Sequence, residues 1–83
     1  MREIFVAFRS RSESMTFYDN IISYRTPAKI INTPKEAGVG CGLSVKLLMR
    51  DLSRAKLVLS RGNYPSFIGI YGLPEGKRPV KLE

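Results

Sequence analysis

Five consecutive apolar residues, Ile4-Phe5-Val6-Ala7-Phe8, open the chain and stop at Arg9. A run this short, rich in β-branched and aromatic side chains, suits a central strand over residues 3–8, covered on at least one face. Ser10 stands three residues before Glu13, the capping-box spacing, so the Ser10 hydroxyl can accept the N–H of residue 13 while Glu13 reaches back. A helix is expected to start here. Met15, Tyr18 and Ile22, flanked by Phe17, Ile21 and Tyr24, recur at three- and four-residue steps and read as a core-facing stripe.

Thr26-Pro27 interrupts that helix, because proline drives the residue before it out of the helical region, and Ala28–Asn32 reads as a second strand ended by Thr33-Pro34. Leu43, Val45, Leu47 and Met49 alternate with Ser44 and Lys46 as in a half-buried third strand. Asp51 is the expected N-cap of a second helix, with Leu52, Ala55, Val58 and Leu59 on one face and Arg50, Arg54 and Arg61 in water. Gly62-Asn63 would close it in the left-handed region. Phe67–Tyr71 supplies a fourth strand, and Pro74-Glu75-Gly76-Lys77-Arg78-Pro79 has the composition of a loose tail. The order βαββαβ is that of an α+β ferredoxin-like sandwich: a four-stranded antiparallel sheet with two helices on one face. One domain is expected over residues 1–73, with residues 74–83 as its tail.

The chain has 83 residues, and no apolar run approaches the roughly 20 needed to cross a bilayer. The opening apolar stretch is too short for a signal peptide, so a cytoplasmic location without membrane contact is expected. One cysteine and no histidine exclude an internal disulfide, a Cys/His zinc site, and Ser-His or Cys-His nucleophilic pairs. Neither metal nor cofactor is called for. Fourteen Lys and Arg against seven Asp and Glu give a net charge of +7, which favours encounters with anions such as RNA, nucleotides or acidic protein surfaces.

Cys41 lies in Gly38-Val39-Gly40-Cys41-Gly42. Glycine visits positive φ freely and has no Cβ, so Gly40 and Gly42 let backbone N–H groups and a ligand approach the sulfur. The plainer alternative is a packed thiol acting as a small hydrophobe. In a ferredoxin-like topology the end of the first strand, the start of the first helix and the loop between strands two and three gather at one end of the sheet. Cys41 would then meet Arg9, Ser10, Arg11 and Ser12, with Lys35 and Arg61 at the same end. The helix N-terminus adds partial positive charge and free N–H donors. A reactive thiol, its anion stabilised by Arg9, Arg11 and Lys35, is the sharper reading; a solvated basic rim is the plainer one.

Ile30-Ile31-Asn32-Thr33-Pro34-Lys35-Glu36, followed by Gly40-Cys41-Gly42-Leu43-Ser44-Val45, resembles the selenium/sulfur carrier protein-like family, across roughly residues 3–73. The resemblance implies that Cys41 holds a sulfur or selenium atom as a persulfide or selenosulfide, taken from a donor protein and passed to an acceptor protein. It implies a carrier or adaptor rather than a complete enzyme. No resolving cysteine is present in the chain, so release requires another molecule.

Two other readings stand beside it. A basic ferredoxin-like module could bind RNA through Phe5, Phe67 or Tyr71, although the third strand holds no aromatic residue where an RNA-recognition motif carries one. An open sheet face could instead join a partner or a second copy of the chain as a homodimer, with Phe5, Lys46, Ile68 and Ile70 on either face.

Overall fold

A computed structural model describes residues 2–83. The elements run β1 (Glu3–Phe8), α1 (Arg11–Ser23), β2 (Lys29–Asn32), a 3-10 turn (Lys35–Ala37), β3 (Leu43–Leu48), a second 3-10 turn (Met49–Asp51), α2 (Leu52–Arg61), β4 (Phe67–Leu73) and β5 (Val80–Lys81). The strands form one sheet in the order β2-β3-β1-β4-β5, and every neighbouring pair is antiparallel. The apolar opening run is thus the central strand, paired on both sides and buried from Ile4 to Phe8.

The protein is α+β with two helices, but its sheet has five strands where four were expected. Val80 and Lys81 pair with Gly72 and Tyr71. The Leu82 N–H then donates to the Ile70 carbonyl at 2.7 Å, and the Ile70 N–H donates to the Glu83 carbonyl at 3.2 Å. Leu82 packs against the main core, so the segment read as a loose tail is a turn plus an edge strand that covers the β4 edge.

Alternation along β1 divides the interior. Ile4, Val6 and Phe8 pack with Val45, Leu47 and Ile70 beneath Phe17 and Ile21 of α1 and Ala55 and Val58 of α2. Phe5 and Ala7 point the other way, where Tyr71 stacks on Phe5 with ring centroids 5.1 Å apart. Phe5 and Lys46 therefore belong to the face away from the helices, and Ile70 to the helix face. Register slips between Ala7 and Phe8, which pair with Gly69 and Phe67, and Ile68 in the skipped position packs with Phe5 and Ala7.

Several local expectations are corrected. The inward face of α1 is Ser14, Phe17 and Ile21, whereas Met15 and Ile22 remain 44% and 41% exposed. Steps of three and four fit both sets, and the small Ser14 is what lets the chain beyond β2 approach the helix. Asp51 ends the second 3-10 turn and stands at the N-cap position of α2 as expected, but its side chain makes no cap hydrogen bond and, among the described residues, its buried Oδ2 has no partner. Gly62 is extended at φ −103°, ψ −179°, not left-handed. The left-handed residue is Arg25 at φ 58°, after α1. There the Arg25 and Thr26 N–H groups donate to the carbonyls of Ile22 and Ile21, a Schellman closure made without glycine. Among the described residues no helix is long and apolar enough to cross a membrane.

Candidate functional site

The segment from Thr33 to Gly42 crosses the end of β1 from one face of the sheet to the other. Thr33 N–H donates to the Gly42 carbonyl at 2.9 Å, extending the β2–β3 ladder, and the Thr33 and Ser44 hydroxyls lie 2.6 Å apart. The 3-10 turn from Lys35 leads into Ala37 and Val39, which pack with Phe5, Ala7 and Tyr71 on the face away from the helices. Two residues beyond Val39, the sulfur of Cys41 stands on the helix side, 3.8 Å from the Ser14 hydroxyl.

Gly40 marks the crossing. Its φ is +83°, and a Cβ built there would lie 2.9 Å from the Phe8 carbonyl oxygen and 3.7 Å from Ile68 Cδ1. The same carbonyl accepts the Cys41 N–H at 3.1 Å. Gly38 and Gly42 on either side also have positive φ, 62° and 95°, with open space where a side chain would stand. The glycines thus serve a path only they follow cheaply, and the backbone that carries the thiol is fixed by its bond to Phe8 of β1 and by the Thr33–Gly42 link beyond the end of β2.

Cys41 is a half-buried residue. Its thiol donates to the Leu43 carbonyl at 3.6 Å, and the fully buried Ser14 hydroxyl donates to the same oxygen at 3.1 Å. Ser14 was not singled out in the sequence, although a serine four residues after the N-cap Ser10, in line with Phe17 and Ile21, is a polar position on an inward face.

Ser10 caps α1 as expected, accepting the Glu13 N–H at 3.3 Å. Glu13 does not reach back to the cap directly. Its Oε1 accepts the N–H and hydroxyl of Ser66 at 3.0 and 2.7 Å, while the Ser10 N–H donates to the Ser66 hydroxyl at 3.2 Å. Ser66 therefore completes the capping box from the loop before β4, and the Arg9 N–H donates to its carbonyl at 2.9 Å.

Arg9 and Arg11 flank this cap and Lys35 opens the 3-10 turn; all three are exposed. Fold and loop bring them to the end of the sheet that holds Cys41, but the polar neighbours of the sulfur are Ser14 and the Leu43 carbonyl. The Arg61 guanidinium donates to the Tyr24 hydroxyl at 3.4 Å.

A small α+β domain that holds one thiol on a glycine path beside a helix N-terminus is the class these features define. The chain belongs to the family described as Putative Se/S carrier protein-like, whose model matches residues 3–71. No curated protein and no solved structure matches it.

Proposed function

We propose that Cys41 takes a sulfur or selenium atom from a donor and hands it to an acceptor, holding it meanwhile as a persulfide or selenosulfide. The observation that supports this most is that the one cysteine of a carrier-family chain stands partly exposed on a backbone-fixed loop. The Cys41 thiolate attacks the outer sulfur of a donor persulfide, R–S–SH. An S–S bond forms to Cys41, the donor's S–S bond breaks, and R–S⁻ leaves with the electron pair. An acceptor thiolate repeats the displacement on the outer atom and Cys41 departs as thiolate, so no oxidant or reductant is consumed. Selenium follows the same course as Cys41–S–SeH.

Ser14 is suited to assist, since rotation of one hydroxyl away from the Leu43 carbonyl turns its donor toward a sulfur anion. Arg9, Arg11 and Lys35 surround the approach with positive charge, and backbone N–H groups about Gly40 and Gly42 add donors. We read the topology as a ferredoxin-like sandwich extended by an edge strand, with residues 1–73 and the terminal strand in one unit. A free thiol of this kind suits a reducing, cytoplasmic compartment. The test is intact-protein mass spectrometry after incubation with a cysteine desulfurase, cysteine and a persulfide-trapping alkylator. A gain of about 32 Da per protein beyond the trap is expected with the native chain and not with Cys41→Ser. An unmodified thiol, or a gain that persists in Cys41→Ser, would overturn the reading.

A further inference from the structure

Register places one residue from each strand in a single row on the face away from the helices. Lys29 of β2 pairs with Lys46 of β3, Lys46 with Phe5 of β1, Phe5 with Tyr71 of β4, and Tyr71 with Lys81 of β5. At about 4.8 Å between strands the row spans roughly 19 Å. Lys29 and Lys81 are exposed and, among the described residues, form no ion pair. Lys46 binds Glu3 of the same face at 3.2 Å. The Lys81 stem lies across this face, its Cε 3.0 Å from where a Gly69 Cβ would stand.

Directly opposed like charges, as at Lys29 and Lys46, destabilise an antiparallel pair. Glu3 already balances Lys46, so of these two the charge left for a partner carboxylate to meet is that of Lys29. Beside these two lysines opens a recess of about 230 Å³, lined also by Glu3, Pro27, Ala28, Leu47 and Leu48. It is large enough for one bulky apolar side chain. The row offers little to a nucleic-acid base, because Phe5 is 0% and Tyr71 7% exposed and their rings lie against one another.

We propose that this face docks an acidic segment of a partner protein, with carboxylates at Lys29 and Lys81 and one apolar side chain in the recess. Ala37 and Val39 of the loop border this face, but the Cys41 sulfur stands on the helix side of the sheet beside Ser14, so a bound partner would leave the thiol approachable.

The test uses the full chain and a fluorescein-labelled peptide of about a dozen Asp and Glu residues with a central leucine, followed by anisotropy at about 50 mM salt. Lys29→Glu/Lys46→Glu/Lys81→Glu is compared with Arg50→Glu/Lys77→Glu/Arg78→Glu, which removes the same charge elsewhere. The row variant should weaken binding by about tenfold or more and the control by less than about threefold. Lys29→Gln/Lys81→Gln, the milder change, should still weaken it by about threefold. Equal losses in the two triple variants would reduce the effect to net charge and overturn the proposal. So would tighter binding of a single-stranded oligonucleotide of matched charge, or undiminished binding by the Gln variant. The series is repeated in Cys41→Ser, where unchanged affinity is expected, so this outcome is independent of whether the thiol carries sulfur.

Discussion

Gly40→Ala tests the path that positions the thiol. Alanine in the left-handed region costs about 1–2 kcal/mol, offset by about 0.4–1 kcal/mol from the stiffer unfolded chain. That net cost of about 1 kcal/mol should be all that is seen at Gly38, where φ is +62° and a Cβ meets nothing within 4 Å. At Gly40 the Cβ also arrives 2.9 Å from the Phe8 oxygen, a backbone atom held in place by the Cys41 N–H. Moving it adds an overpacking cost of about 1–3 kcal/mol. The total, about 2–4 kcal/mol, corresponds to a fall in Tm of at least about 10 °C, against about 4–8 °C for Gly38→Ala. Thermal melting by circular dichroism measures both, and the alkylation rate of Cys41 at a temperature where both variants are folded reports the displaced thiol. If Gly40→Ala melts within about 2 °C of Gly38→Ala, the close approach to Phe8 is not what the position requires.

Ser14→Ala removes the hydroxyl between Leu43 and the sulfur; denaturant unfolding should show a loss of about 1 kcal/mol, and the trapped-persulfide yield of the native fold should drop. Arg25→Gly should stabilise the protein by about 0.5–1 kcal/mol in the same assay, since it relieves a non-glycine residue at φ 58°. Removing residues 80–83 takes away β5, the packing of Leu82 and the 2.9 Å Lys56–Glu83 ion pair. Melting should fall by about 10 °C or more, chiefly from lost apolar burial and the uncovered β4 edge.

Local signals carried most of the architecture. The Ile4–Phe8 run, the Ser10 cap, the alternation of Val45 and Leu47 and the spacing of Ala55 and Val58 each state a period or a cap within a few residues, and each lies where that signal puts it. Family membership was legible too. What escaped depends on partners distant in the chain. Val80-Lys81 is too short and too close to prolines to announce a strand, and exists because β4 offers it an edge. The carboxylate of Glu13 is claimed by Ser66, which no spacing rule relates to it. Met15 and Phe17 both satisfy helical periodicity, and the side that turns inward is the one whose Phe17 and Ile21 pack on the sheet while Ser14 meets the Cys41 loop.

The bonds that locate the backbone at position 41 are main-chain bonds: its own N–H on Phe8, and the Thr33–Gly42 link just beyond it. Such a position behaves as a socket whose backbone bonds do not depend on the side chain it displays. A serine or a selenocysteine, close to cysteine in size, can occupy it with the same backbone bonds, whereas a bulky group on the sulfur meets the buried Ser14 hydroxyl 3.8 Å away, so the domain's stability is independent of the displayed atom only while that atom stays small.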